Sequence, residues 1–250
     1  MIVGHVLFLH KNMAENQNET KQPKSPRCIG IIMDGNRRWA KDNGLETWQG
    51  HDAGAKKLRE VTAWAIEAGV THLIVYTFST ENWNRPESEI NFLMQKLAGS
   101  VESEMPWLIE HGVKMKLVGD KNRFEPKVKD SLTLIEARTA SHNKITLALA
   151  LNYGGRDEIL RAINKCILNR KDLLAPVTES EFTAALDTAG MPDPDMIIRT
   201  SGEQRLSGFL PWQSVYSELF FPSINWPGMT REIFFGLLEE YNRRQRRFGA

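Results

Sequence analysis

The chain has 250 residues, of which 41% are hydrophobic and 25% charged, a length and balance that suit one large α/β domain or two small ones with a real apolar core. A net charge of +1 argues against a global electrostatic role such as coating nucleic acid. Two cysteines, Cys28 and Cys166, far apart and outside any C-x-x-C or Cys/His cluster, argue against a disulfide scaffold or structural zinc site and fit a reducing compartment.

In chain order, the first eleven residues form an apolar run too short to span a bilayer. It has neither a leading basic region nor a clear small-residue cleavage site, so a signal peptide is not expected. Residues up to 26 are rich in Asn, Gln, Glu, Lys and Pro and read as a mobile N-terminal arm, 1–26, ahead of one domain, 27–250. A cytoplasmic location follows, with peripheral membrane contact left open.

Short apolar runs then alternate with helical patterns. The runs are 28–33, 72–78, 113–118, 145–151 and 196–198. Between them Leu58, Val61, Ala65 and Ala68 repeat at spacings of three and four. So do Ile90, Leu93, Leu97, Val101, Met105 and Leu108. This alternation predicts an α/β fold: a mostly parallel central sheet flanked by helices. No linker or internal repeat divides it.

The chemistry follows the strands. The first run ends in Asp34-Gly35-Asn36-Arg37-Arg38-Trp39, the second in Ser79-Thr80-Glu81-Asn82-Trp83-Asn84-Arg85-Pro86. The fifth ends in Arg199-Thr200-Ser201-Gly202-Glu203-Gln204-Arg205-Leu206-Ser207. In an open parallel sheet the carboxyl ends of the strands share one edge, where ligands bind. Arg forms bidentate bonds to phosphate oxygens, and Gly lets backbone N–H groups approach an anion. Arg37, Arg38, Arg85, Arg199 and Arg205 carry more positive charge than one carboxylate substrate needs and suit one or two diphosphates. Any single loop of this kind is equally well an ordinary solvated strand end; three on one edge point to a site. Asp34 is a candidate Mg²⁺ anchor, because Mg²⁺ on phosphate oxygens often takes only one or two protein carboxylates; the competing reading is a salt bridge to Arg38. His51, in Gly50-His51-Asp52-Ala53-Gly54-Ala55, reads on spacing alone as structural rather than as a proton carrier. No GxxxxGK[ST], G-x-G-x-x-G or G-x-S-x-G motif is present.

These residues carry a resemblance. Ile31-Ile32-Met33-Asp34-Gly35-Asn36-Arg37-Arg38-Trp39-Ala40 resembles the opening signature of the cis-prenyltransferases, whose bacterial type is undecaprenyl diphosphate synthase. Gly50-His51-Asp52-Ala53-Gly54-Ala55, Phe78 through Pro86, and Asn152-Tyr153-Gly154-Gly155-Arg156 match its next three blocks in order. Residues 198–205, with Trp212-Gln213 and Tyr216-Ser217-Glu218-Leu219, match the last. The resemblance spans about 29–249, and five ordered blocks over that length are specific.

The resemblance implies condensation of isopentenyl diphosphate onto an allylic diphosphate, usually farnesyl diphosphate, with each new double bond cis, giving a polyprenyl diphosphate. It implies Mg²⁺ held with Asp34, and Glu218 as second acidic metal residue. Gly35, Asn36, Arg37 and Arg38 would bind the allylic phosphates, with Trp39 beneath and His51 nearby. Ser79, Thr80, Glu81, Trp83 and Arg85 would share that site, and Asn82 would help remove the proton. Arg199, Arg205 and Ser207 would hold isopentenyl diphosphate. Arg247-Phe248-Gly249 would reach a partner subunit's site in a homodimer, which is preferred to reading the basic C-terminus as a nucleic-acid tail. The apolar stripe from Ile90 to Leu108, with Phe92 and Met94 beside it, is a candidate wall for an apolar tunnel, although periodicity alone favours ordinary core packing.

Three departures from the family pattern stand out: Thr47 where many members carry Arg, Gln204 where some carry a metal-binding His, and Ser207-Gly208-Phe209-Leu210-Pro211-Trp212 in place of the usual Ser-Asn-Phe-Leu-x-Trp. Arg37, where bacterial members often have Gly, is a candidate to compensate for Thr47. Two alternatives remain: a non-catalytic binding subunit of such an enzyme, and a diphosphate-binding module with a flavodoxin-like sheet. Trans-prenyltransferases use DDxxD motifs, which are absent here.

Overall fold

The computed structural model describes residues 25–170 and 174–244. The expected N-terminal arm, apart from its last two residues, and the C-terminal Arg247-Phe248-Gly249 lie outside the described residues.

Six strands form one sheet in the order β3-β4-β2-β1-β5-β6: β1 (Cys28–Ile32), β2 (His72–Ser79), β3 (Val113–Val118), β4 (Ile145–Tyr153), β5 (Met196–Arg199) and β6 (Glu218–Phe220). Every pairing is parallel. The five expected strands all form. The sixth has only three residues and opens on the charged Glu218, so no apolar run marks it.

The centre of the sheet is buried on both sides, and its strands alternate between two cores. Ile29, Ile31, Leu73, Val75, Ile145, Leu147, Met196 and Ile198 face one way. There they meet Val61 and Ala65 of α2 (Thr47–Glu67) and Phe234, Leu238 and Tyr241 of α7 (Arg231–Arg243). The same core takes Leu108 of α3 (Glu87–Glu110) and Ile135 of α4 (Pro126–Thr139). Cys28, Ile32, Ile74, Ala148, Ala150 and Ile197 face the other way, against Phe209 and Leu210. Gly30 makes room there: a Cβ on it would stand 3.1 Å from the Phe209 ring. Two further helices, α5 (Gly155–Leu168) and α6 (Glu179–Ala185), pack on each other through Ala162, Cys166, Phe182 and Leu186.

Two features of this frame position the site. β2, β4 and β3 lie on one side of β1, and β5 and β6 on the other, so the connections diverge at the β1–β5 border and leave a crevice beyond the strand ends. The second feature is the close contact of α1 (Asn36–Asp42) with α2. A Cβ at Gly50 would fall 2.2 Å from the Asn36 carbonyl oxygen, and one at Gly54 would fall 2.3 Å from Asn36 Oδ1. These two glycines, one turn apart on α2, let the loop after β1 lie directly on that helix. Among the described residues, no helix is long and apolar enough to cross a membrane.

Candidate active site

Ile32 of β1 pairs with Arg199 of β5, so the first and fifth strand ends open side by side. Asp34 accepts from its own neighbour, Gly35 N–H, through Oδ1 at 2.8 Å. Arg199 Nη2 donates to Oδ2 at 2.8 Å. Gly35 has φ +99° and lies against Asn225, leaving no room for a Cβ, so glycine is required here. The Asp34 carbonyl takes two donors, Thr200 Oγ1 at 2.6 Å and Trp226 N–H at 2.9 Å. The loop is therefore tied down on both sides.

Arg199 is only 5% exposed. Its Nη1 donates to the Arg205 carbonyl at 2.5 Å and to Ser207 Oγ at 2.8 Å, and its Nε has no partner. Arg38 Nη2 lies 2.8 Å from Glu203 Oε1 and 3.9 Å from Asp34 Oδ1. Arg205 also pairs with Glu203. Hydrogen bonds from Arg205 and Arg38 hold the Glu203 carboxyl below its ordinary value. Arg38, Arg199, Arg205 and Ser207 thus form one cationic group around Asp34 and Glu203.

A second group forms where α1, α2 and the start of α3 meet. Arg85 Nη1 lies 3.1 Å from Glu89 Oε1, His51 Nε2 lies 3.7 Å from the same oxygen, and Arg37 Nη1 lies 3.8 Å from Oε2. Burial, and then the charge of Arg85, push the His51 pKa below its ordinary value, which keeps the ring neutral. Its Nε2 and the nearby Asn36 Oδ1 are buried without hydrogen-bond partners. Both residues line a cavity. Orphaned polar atoms at a cavity wall are what a polar ligand satisfies.

Ser79 and Asn82 form a reciprocal cap on the short 3₁₀ turn Thr80–Asn84, with Ser79 N–H donating to Asn82 Oδ1 at 3.0 Å. Trp83 is fixed by Nε1 donating to Asn152 Oδ1 at 2.7 Å and by Arg123 lying 4.5 Å over its ring. Thr80 is held close to the fourth block, since a Cβ at Gly154 would meet Thr80 Oγ1 at 2.4 Å. Glu81 is exposed. Trp39 is half-buried on α1, its carbonyl accepting from the Asn43 side chain.

Below the second group lies an apolar cavity of about 250 Å³ between α2, α3 and the sheet. Phe92, Leu93, Leu97 and Leu108 line it from α3, and Thr77, Leu147 and Leu149 line it from the strands. The α3 stripe therefore faces a cavity as well as the core. Ile90, Met94 and Met105 are not in its wall. Two ion pairs at its border, Arg59–Glu104 at 2.7 Å and Lys96–Asp52, join α2 to α3.

A family model, Prenyltransf, described as undecaprenyl diphosphate synthase, matches residues 32–249. The chain belongs to that family. An isoprenyl transferase of Clostridium perfringens is 43% identical over 97% of this chain and 98% of its own length. One from Helicobacter hepaticus is 41% identical over 92% and 99%. Among solved structures, lavandulyl diphosphate synthase from Lavandula x intermedia, in complex with dimethylallyl diphosphate, superposes with a TM-score of 0.86. It is 29% identical, over 90% of this chain and 99% of that one. A probable undecaprenyl diphosphate synthase from Campylobacter jejuni gives 0.77 at 29% identity, over 91% and 100%.

Asp34 to Arg38, His51, Ser79 to Arg85 and Arg199 to Ser207 meet at one edge of the sheet, and Glu218 does not. Glu218 pairs with Met196, which pairs with Ile29. It is therefore level with a residue five positions before Asp34, about 15 Å away along the strands. Its carboxylate is 3.0 Å from Arg244. Within one chain Glu218 and Asp34 do not share a site, and among the described residues no three metal-ligating side chains cluster. Glu89 and Glu203 were not singled out from the sequence; Glu203 lies inside the last block, and a count of Arg against acid in each loop was the signal available. Of the departures, Thr47 is exposed at the start of α2 and Gln204 is exposed, while Arg37 joins the Glu89 group. Pro211 sits where a Cβ on Gly155 would strike it at 2.2 Å, so the 207–211 segment lies tight on the fourth block, with Ser207 and Leu210 both at φ +50°.

Proposed function

We propose that this chain condenses isopentenyl diphosphate onto an allylic diphosphate, with farnesyl diphosphate as the favoured primer, and sets a cis double bond at each addition. The product is a polyprenyl diphosphate of the kind used as a lipid-carrier precursor. The observation that carries this reading is the juxtaposition of two Arg-bearing groups, Arg38-Arg199-Arg205 and Arg37-Arg85 with the neutral His51, the second of them at the wall of an apolar cavity. Two diphosphates and one hydrocarbon chain are what such a site accommodates.

In this reading Arg37, Arg85, His51 and the Gly35–Asn36 backbone hold the allylic diphosphate, and its chain enters the cavity. Arg199, Arg205 and Ser207 hold isopentenyl diphosphate, and Arg38, beside Asp34 and Glu203, reaches the allylic phosphates from the border of the two halves. The allylic C–O bond breaks and diphosphate departs with the electron pair. The isopentenyl alkene bonds to the allylic carbon, and loss of one proton restores an alkene. Guanidinium groups already in place stabilise charge on the leaving diphosphate as it develops. Asn82 is a poor base, and its oxygen is engaged by Ser79 N–H. It orients substrate, and the proton leaves to water or to the departing diphosphate.

The donor set suits Mg²⁺ carried on substrate phosphates: Asp34 is 29% exposed and stands between the two cationic groups. A single carboxylate with phosphate oxygens is a common Mg²⁺ arrangement. Mg²⁺ there would be held by Asp34 and would neutralise diphosphate charge.

A homodimer is part of the proposal. Leu160, Ile163 and Ile167 are exposed along one stripe of α5, and Val215, Tyr216 and Leu219 are exposed beside β6. That is more apolar surface than scattered single residues explain. Cytoplasmic action with peripheral membrane contact during product release suits a hydrocarbon product.

The test is incubation with labelled isopentenyl diphosphate, several allylic primers and Mg²⁺, followed by chain-length analysis. Polyprenyl diphosphate is expected, and no product with any primer sinks the reading. Sedimentation of an active monomer removes the dimer.

A further inference from the structure

The Glu89 carboxylate occupies the ground that an incoming anion needs. It stands in the first turn of α3 with its side chain 16% exposed. Groups from three other segments converge on it: Arg37 of α1, His51 of α2, and Arg85 just before α3. Only Arg85, at 3.1 Å, is within hydrogen-bond range; Arg37 at 3.8 Å and His51 at 3.7 Å are too far. His51 Nε2 is left buried and unpartnered. A carboxylate in a site built for it draws its donors to about 2.7–2.9 Å. These donors instead surround a space wider than one carboxylate, and Glu89 fills part of it.

We propose that Glu89 is an internal stand-in for the allylic diphosphate: it neutralises Arg37 and Arg85 in the unloaded enzyme and competes with the diphosphate for them. This rests on the allylic reading of that half of the site. Without an acid there, two guanidinium groups would face each other uncompensated. With one there, an arriving diphosphate meets like charge and must take over the donors. Glu89 therefore holds the empty site together and weakens the grip on whatever diphosphate occupies it, substrate or product.

The test is calorimetric titration with dimethylallyl diphosphate and magnesium, without isopentenyl diphosphate so that nothing turns over. Glu89→Gln keeps shape and removes charge. It is expected to bind roughly tenfold more tightly than wild type. Arg85→Ala is expected to bind at least about tenfold more weakly, which confirms that the titration reads this half of the site. The gain in melting temperature on adding dimethylallyl diphosphate is a readout that a merely structural role would not move. Glu89→Gln should melt lower than wild type when empty, yet gain more on adding dimethylallyl diphosphate. In steady state its KM for the allylic substrate should fall while kcat does not rise. Unchanged or weaker binding by Glu89→Gln, with wild type binding normally and making product, overturns the inference and leaves the proposed function standing. A wild type that neither binds dimethylallyl diphosphate nor makes product overturns both.

Discussion

Arg199, at the end of β5, donates to the Asp34 carboxylate at 2.8 Å across the β1–β5 border. One guanidinium thereby serves Asp34, the Arg205 carbonyl and Ser207 Oγ together. The loops that follow β1 and β5 are joined through this residue.

Substituting Asp34→Asn is expected to lower kcat by about 10²–10⁴-fold, since it removes the carboxylate proposed to hold Mg²⁺ on phosphate. It also leaves Arg199 without its counter-charge, so stability should fall by about 1–3 kcal/mol. Steady-state kinetics and urea unfolding check the two effects separately. Turnover equal to wild type would remove Asp34 from the chemistry.

Arg199→Lys keeps the charge, but a single ammonium cannot span three acceptors. KM for isopentenyl diphosphate should rise roughly tenfold or more, with a smaller change in KM for the allylic substrate. Equal changes in both would show that Arg199 does not belong to one half of the site.

The glycines divide by surroundings. Gly54→Ala puts a Cβ 2.3 Å from Asn36 Oδ1 and should destabilise by about 1–3 kcal/mol through overpacking. Gly236→Ala, inside α7 with nothing within 4 Å, should stabilise by about 0.4–1 kcal/mol. Urea midpoints decide, and the same sign for both would contradict the geometry.

His51 and His72 both have folded-state pKa values below their ordinary 6.5, chiefly because burial disfavours the charged ring. The unfolded chain therefore takes up protons first as pH falls. Stability from the neutral rings is fully present above about 6.5 and is lost progressively below it. Unfolding free energies measured at pH 7.5 and 5.5 should show a larger acid loss for wild type than for His51→Gln. An identical loss would mean that His51 is not held neutral.

Thr77 lines the cavity from β2. Thr77→Trp should fill much of that volume and shorten the main product, read by chain-length analysis. An unchanged product distribution would place the growing chain elsewhere.

The strand ends were legible because each buried strand of the sheet announces itself as an apolar run, and whatever follows it must lie at one edge. That logic placed Asp34, Arg85 and Arg199 in one crevice. The ordered blocks added the family, and the family model and the isoprenyl transferase relatives agree with it.

The side on which Thr77, Leu149 and Leu151 project was open, because a shift of one residue reverses every side chain in a strand. The register, with its irregularities between Tyr76 and Ser79, sends Thr77 and Leu149 into the cavity and Leu151 into a separate core. Glu89 was invisible as a site residue for a related reason: its partners are 52, 38 and 4 positions away, and no local pattern encodes that convergence. The sequence by itself determined that Asp34 ends a buried strand beside cationic loops, since burial and strand order are written in local periodicity. Only the tertiary structure decided which charges meet there, with Arg199 taking Asp34, Glu89 gathering Arg37, Arg85 and His51, and Glu218 left with Arg244, because ion pairs form between elements whose separation in space is set by how the helices pack on the sheet.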